Sequence, residues 1–316
     1  MEYTVVIRTL GKAGEKYQKM LDSLKEQTIQ PREIIVYIAE GYDIPKETIG
    51  VERYVYVKKG MVAQRALQYD EVKTEYILFL DDDVFLPPDA VNTLYRELKD
   101  YNGDVISPDV FDNAARSLKM EVMMTISGRM RARRRDKRWG YKVIRTAGYS
   151  YNKNPQGVLL SQSNAGPCFF CKKEIFINSH FEDELWLDSQ KYPLGEDQIM
   201  YYKMYKNGLK VLTSYDSGIV HLDAGSARVS EEKASRVLYS DLYFKTVFWH
   251  RFIYKPETSC ILKLWDIICL CYMYCFTILI SLVKFEFAIL KTKWSAIIDG
   301  WTFVKSDKYK QLPLIK

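Results

Sequence analysis

The chain has 316 residues, of which 47% are hydrophobic and 14% aromatic, and it carries a net charge of +6. This length predicts one large domain with an appendage, and so modest a charge gives no ground for a nucleic-acid-binding protein. Four of the six cysteines fall in one late apolar stretch, which argues against a disulfide framework and favours a reduced, cytosolic enzyme. The opening residues, with an acid at position 2 and only a strand-length apolar run, do not predict a secretory signal.

The first hundred residues alternate between strand and helix patterns. Strands are predicted over 3–8, 33–38, 51–57 and 76–81, and helices over 15–27, 60–69 and 90–98. Strands that are separated by helices predict an α/β fold with a mostly parallel central sheet and right-handed crossovers.

Three consecutive carboxylates, Asp81, Asp82 and Asp83, follow the apolar strand that begins at Tyr76. Carboxylates repel one another, so a triplet at the end of a buried strand needs a compensating charge. Mg²⁺ or Mn²⁺ is the natural candidate, since both take oxygen ligands and share them with substrate phosphates. Ligands of open α/β sheets also bind just beyond the carboxyl ends of strands. The alternative is an acidic loop without a metal.

The middle of the chain contains a basic stretch, 129–145, with a single acid at Asp136. It is either a solvated loop or helix face, or a patch for phosphate groups or anionic lipid headgroups. Cys168 and Cys171 match a C-x-x-C pattern, but no second pair accompanies them, so a core strand is favoured over a zinc site.

Glu196 and Asp197 precede a predicted helix at 198–206, where the helix dipole favours anions. Taken alone, this pattern is typical of helix capping. His221 stands in a glycine-containing segment beside Asp223 and could complete a coordination sphere, although a lone histidine is more often structural.

In this order and spacing the motifs resemble the family 2 glycosyltransferases of the GT-A fold, which transfer a sugar from a nucleotide-sugar donor with inversion. The resemblance runs from about Tyr3 to His221 and rests on six segments. These are Tyr3–Thr9 as the opening strand, Glu33–Val36 as the second strand, Gly60–Arg65 before the next element, Phe79–Asp83 as a D-x-D strand end, Gly166–Phe176 as the acceptor-side strand, and Gly195–Gln198 as an E-D motif.

The resemblance implies a role for each candidate residue. Asp83 would bind the metal with Asp81 and His221, and Asp197 would accept the proton of the acceptor hydroxyl, with Glu196 as the fallback base. The donor would lie against Thr9, Glu40, Arg65, Asp81 and Asp82. The second strand departs from the family pattern, because its usual paired acids are missing and Glu40 stands one place along.

Near the C-terminus, 267–283 is uncharged and rich in aromatic and aliphatic residues. A helix of this length is near the lower limit for crossing a bilayer. Lysines and arginines flank both sides, which fits a single crossing poorly. We therefore expect an in-plane or re-entrant helix, followed by an amphipathic piece at 294–304. The alternatives are a single crossing and a buried helix of a soluble protein.

Together with these patterns, the resemblance implies a glycosyltransferase domain over residues 1–250 and a membrane-associated helical region over 251–316. The enzyme would act at the cytoplasmic face of the cell membrane, in cell-surface polysaccharide synthesis, on a glycan or lipid-linked acceptor. It would use Mn²⁺ or Mg²⁺ and would not bind nucleic acid. The alternatives are a nucleotidyltransferase on a similar sheet and a catalytically silent protein that binds sugar nucleotides or glycans.

Overall fold

The computed structural model describes residues 1–111, 113–190, 194–222 and 231–315; Asp223 lies outside them. The described residues form two compact units. The first contains 1–111, 155–188 and 196–222, and the second contains 113–154, 189–190, 194–195 and 231–315. These units are defined by packing alone, so the functional boundary at residue 250 stays a prediction.

The first unit is built on a sheet of eight strands. In chain order they are β1 (Tyr3–Thr9), β2 (Glu33–Ala39), β3 (Glu52–Val57), β4 (Tyr76–Asp81), β6 (Val105–Pro108), β10 (Val158–Ser161), β11 (Cys168–Lys172) and β12 (Val211–Ser214). The spatial order is β3-β2-β1-β4-β11-β6-β12-β10. The first four strands in this order run parallel, whereas β11 is antiparallel to both of its neighbours.

A separate two-stranded pairing and four helices complete the first unit. β5 (Val84–Phe85) pairs with β13 (Val220–His221), and the helices are α1 (Glu15–Lys25), α2 (Ala90–Asp100), α4 (Lys173–Ile177) and α5 (Glu196–Lys206). The apolar side chains of α1 recur at helical spacing, with Tyr17, Met20 and Leu24 buried in the same hydrophobic core as β1 and β4. Pro87 and Pro88 precede α2, where a missing N–H costs little.

Strand register explains why charged groups collect at one edge of this sheet. β1 and β4 are parallel neighbours, and their Cα partners include Arg8 opposite Asp81. Both strands are buried and apolar up to these residues. The two opposite charges therefore meet where the strands end.

The helix predicted over 60–69 is wrong, because this segment forms turns. The carboxylate of Asp188 accepts hydrogen bonds from the backbone N–H groups of Val62 at 3.0 Å and Ala63 at 2.8 Å. Tyr69 has a φ of 52°, outside the right-handed helical region. The segment thus makes a single turn, fixed from outside by Asp188.

The second unit contains three strands and five α-helices among its described residues. They are α3 (Leu118–Ile126), β7 (Met130–Arg133), β8 (Trp139–Val143), β9 (Tyr149–Asn152), α6 (Glu231–Phe248), α7 (Cys260–Val283), α8 (Phe287–Lys305) and α9 (Asp307–Lys310). The expectation of a loop or helix face for 129–145 is wrong, since β7 and β8 occupy most of it. Asp136 makes the turn between them by accepting the N–H groups of Arg138 and Trp139 at 2.9 and 3.0 Å.

α7 contains the apolar run predicted at 267–283 but begins earlier, where Ser259 caps it by accepting the N–H of Leu262. Among the described residues it is the one helix long and apolar enough to cross a membrane, and 28% of its apolar window is buried. One stripe of α7 packs against the rest of the second unit, and this stripe includes polar side chains. Asp266 in that stripe pairs with Arg145, and Lys293 of α8 donates to Thr277 O at 3.0 Å and Ser281 Oγ at 2.7 Å.

Candidate active site

Arg65 is the centre of the candidate site. Its guanidinium is 3% exposed and donates to Glu196 Oε2 at 2.9 Å, Asp197 Oδ1 at 2.8 Å and the carbonyl oxygen of Gly166 at 2.9 Å. It also lies 3.5 Å from Asp81 Oδ1. One side chain thereby joins the turn after β3, the entry to β11, the end of β4 and the start of α5.

Arg8 is a second cation in this network, and it is absent from the residues chosen on sequence grounds. It forms a two-pronged pair with Asp81, donates to the carbonyl oxygen of Met61 at 2.8 Å and lies 3.0 Å from Glu196 Oε1. A charged residue at the end of an otherwise apolar strand was the available signal. Asp188, which holds the turn before Arg65, gave no such signal, because it lies far away along the chain.

The two carboxylates at the start of α5 have different surroundings. Glu196 is 2% exposed and bound by both arginines, whereas the Asp197 side chain is 29% exposed. Burial raises the pKa of Glu196 to about 7, although Arg65 and Arg8 oppose that rise. Both residues lie in the first turn of a helix, as predicted. Asp197 is the one that an incoming molecule could reach.

Gly166 makes the close packing around Asp197 possible. A Cβ atom added here would lie 1.8 Å from Asp197 Oδ1 and 2.8 Å from Arg65 Nη1. Both distances are well below van der Waals contact. The carboxylate therefore occupies the space that any other residue type would fill.

The three consecutive aspartates have three different partners. Asp81 pairs with the arginines; burial raises its pKa, but the guanidinium of Arg8 and then that of Arg65 outweigh this effect, so that the pKa lies below its usual value. Thr9 Oγ1 donates to Asp82. Burial raises the pKa of Asp82 to about 6, with the hydrogen bond from Thr9 opposing and the charges of Asp81 and Asp83 adding to the shift.

Asp83 faces His221, whose Nε2 lies 3.0 Å from Asp83 Oδ1. The two meet because β5 pairs with β13, with His221 opposite Val84. Within the described part of the chain, no three His, Cys, Asp or Glu side chains are grouped so as to hold a metal ion. Asp83 and His221 would therefore supply two ligands of a metal, and other oxygens would have to supply the rest.

The charge balance of the site fits a divalent cation. Two guanidinium groups, those of Arg8 and Arg65, lie among five carboxylates, those of Asp81, Asp82, Asp83, Glu196 and Asp197. An anionic diphosphate entering this surplus of negative charge would be repelled unless a cation accompanied it. Mg²⁺-type ions commonly bind through one or two protein ligands together with substrate phosphates.

Glu40 lies in the exposed turn that follows β2, and none of the described contacts links its side chain to the arginine network. A cleft of about 410 Å³ opens beside that turn, lined by Leu10, Gly11, Lys12, Gly41, Tyr42 and Asp43. Lys12 and Lys59 both lie 4.8 Å from the centre of the Tyr42 ring.

Cys168 and Cys171 lie in β11 and are fully buried, which agrees with the core strand favoured over a zinc site.

Comparisons with known proteins agree on the fold. The family model described as glycosyl transferase family 2 matches residues 4–176, more than half of the chain. Among solved structures, the crystal structure of GalNAc-T7 with UDP, GalNAc and Mn²⁺ superposes with a TM-score of 0.50 at 15% identity. That match covers 85% of this chain and 55% of the other, so the chain spans about half the length of that protein. No curated protein matches the chain.

The matched residues contain β1 from Thr4 onward, Arg65 and the acidic end of β4, and the solved structure has the same mixed α/β architecture. The expected fold class is confirmed. The chain belongs to glycosyl transferase family 2 and has the GT-A fold.

Proposed function

We propose that the protein transfers a sugar from a nucleotide-sugar donor to a hydroxyl group of a glycan or lipid-linked acceptor, with inversion and with the help of Mn²⁺ or Mg²⁺. One observation carries the proposal: Arg65 holds Asp197, a partly exposed carboxylate, in the network that also contains Asp81 at the end of β4. The family match supports sugar transfer, and the UDP and Mn²⁺ bound to GalNAc-T7 support the donor class and the cation.

Asp197 is the proposed general base. A base must come within hydrogen-bond reach of the hydroxyl whose proton it accepts, and Asp197 has the exposed surface to do so. Glu196 is enclosed by both arginines and has no such access. We therefore assign Glu196 to positioning, since it holds Arg65 and Arg8 in place.

Inversion follows from a single displacement. The acceptor oxygen attacks the anomeric carbon of the donor sugar while the bond between that carbon and the diphosphate breaks. Asp197 accepts the proton of the acceptor hydroxyl. Asp83 and His221 would hold the divalent cation, with Asp81 close by on β4. The cation would supply positive charge to the departing diphosphate. Thr9 and Asp82 would line the donor side of the same edge.

Membrane association is the second part of the proposal. Large apolar side chains of α7 are exposed, among them Leu264 at 59% and Leu279 at 57%. The neighbouring helix α8 carries Lys291 and Asp299, which a bilayer core would not accept. We therefore favour an in-plane position of α7 on the cytoplasmic face over a crossing. A surface polysaccharide or a lipid-linked glycan would be the product at that location.

The enzyme is tested with purified protein, Mn²⁺ and a panel of nucleotide sugars, with transfer or slow donor hydrolysis as the readout. Asp197→Asn should lower turnover about 100-fold or more while nucleotide affinity stays within a few-fold. Asp100→Asn, an exposed aspartate at the end of α2, is the matched control and should behave as wild type. Wild-type protein that binds a sugar nucleotide but turns over none of the panel would favour the silent binding protein instead.

The membrane position is tested by protease access in sealed inside-out vesicles. An in-plane α7 leaves the extreme C-terminus open to external protease. Protection of that terminus would mean a true crossing.

A further inference from the structure

Helix α3 is apolar and almost uncovered. Five of its nine residues are large apolar side chains exposed by 42 to 68%: Leu118, Met120, Val122, Met123 and Ile126. A surface helix normally turns such residues toward a core and polar residues toward water. An uncovered apolar patch of this kind marks an interaction site.

The helix is held in place by its only acid. Glu121 is 5% exposed and pairs with both Lys153 and Arg134. This fixes one side of α3 to the second unit and leaves the apolar side chains outside. The exposure is therefore a defined feature of the fold.

The apolar surface continues from α3 onto α7. Tyr272 of α7 donates a hydrogen bond to the carbonyl oxygen of Ile126 at 2.6 Å, and Tyr272 is itself 48% exposed. Ile268, one turn earlier on the same face of α7, is 47% exposed. Residues far apart in sequence thus form one apolar surface of the second unit.

A basic loop lies next to this surface. The turn between β7 and β8 exposes Arg134, Arg135, Lys137 and Arg138, and Arg134 reaches Glu121 of α3. Asp136, the only acid in the turn, is bound by Arg133 and by backbone N–H groups. The exposed side chains of Arg135, Lys137 and Arg138 therefore present positive charge beside an apolar helix.

We propose that α3 and the basic turn at 134–138 form a lipid-binding surface, in which the apolar side chains of α3 insert into the interface of an anionic bilayer and the basic side chains bind its phosphate headgroups. Apolar side chains beside lysine and arginine are the combination that binds anionic membranes. A second copy of the chain fits less well, because a two-fold interface pairs this surface with itself and offers the basic turn no anionic partner. This proposal does not depend on sugar transfer, and its test measures no activity.

The experiment uses full-length protein made by cell-free synthesis in the presence of phosphatidylglycerol vesicles, followed by flotation and hydrogen–deuterium exchange. In wild type, the amide groups of 117–127 should exchange more slowly in vesicle-bound protein than in unbound protein. Val122→Asp with Met123→Asp should weaken vesicle binding at least 10-fold, with α7 accounting for what remains. Val51→Asp, at a 66% exposed position of the first unit, is the matched control and should bind as wild type.

Replacement of Arg135, Lys137 and Arg138 by Gln tests the charge. At about fivefold per basic residue, affinity for phosphatidylglycerol should fall roughly 100-fold, while binding to phosphatidylcholine stays unchanged. Unchanged vesicle binding by the Val122/Met123 variant, or slowed exchange in α7 without slowing in α3, would overturn the proposal. The proposal would also be overturned if wild type formed a dimer and the Val122/Met123 variant lost that dimer but still bound vesicles.

Discussion

Gly166→Ala offers a test of the geometry around the proposed base. The added Cβ would lie 1.8 Å from Asp197 Oδ1, whereas ordinary contacts begin near 3.4 Å. The carboxylate would have to move by about 1.5 Å. The carboxylate cannot relieve this contact by moving with Arg65, since Arg65 Nη1 would itself lie only 2.8 Å from the added methyl group. A misplacement of about 1 Å can cost 100-fold in rate, so we expect kcat to fall about 100-fold or more.

The measurements are steady-state transfer, nucleotide affinity by calorimetry and thermal unfolding. Nucleotide affinity should change only a few-fold, because the substitution displaces the base and not the donor side. In an Asp197→Asn background, Gly166→Ala should add little further loss. Gly208→Ala is the control: it has a φ of 85° and open space around its Cβ, so it should lower stability by about 1 kcal/mol and leave kcat intact. A Gly166→Ala enzyme that keeps half of its kcat would refute the reasoning.

Three further predictions concern other parts of the molecule. Asp83→Asn should raise the Mn²⁺ concentration needed for half-maximal activity at least 10-fold, and chelation of the cation should abolish turnover of wild type; equal metal titrations would contradict the assignment. Asp188→Ala should lower the unfolding free energy by about 2 kcal/mol, because the N–H groups of Val62 and Ala63 lose their acceptor. Asp188→Asn keeps a carbonyl acceptor, so its unfolding free energy, measured by urea denaturation, should fall by less. Burial lowers the pKa of Lys245. The contribution of Lys245 to the unfolding free energy should therefore increase as pH rises toward the ordinary lysine pKa of about 10.4. Lys245→Met should be tolerated, and its unfolding free energy should lack this increase with pH.

The sequence predicted the sheet well, because buried strands and amphipathic helices have strong local patterns. α1, α2 and the strands up to β4 lie close to their expected limits. The segment 60–69 failed because its turns depend on Asp188, which is more than a hundred residues away and has no local signature. The exposure of α3 was equally unpredictable, since an apolar helix reads as a core helix until its neighbours are known.

For the site, the order of the motifs indicated Asp81, Asp83, Glu196 and Asp197, but it could not indicate which residue each carboxylate contacts. The structure puts Asp81 with arginines and Asp83 with His221. It also separates Glu196 from Asp197 by burial, which adjacent positions on a helix do not reveal. Arg8 could have been inferred by aligning the ends of β1 and β4, since the two strands are parallel.

The way in which Arg65 collects its partners affects when activity can first arise during synthesis. Arg65 and Asp81 are translated before Glu196 and Asp197. Until α5 emerges, the guanidinium has neither Glu196 nor Asp197 to hold. The proposed base therefore cannot be positioned in a nascent chain that ends before α5.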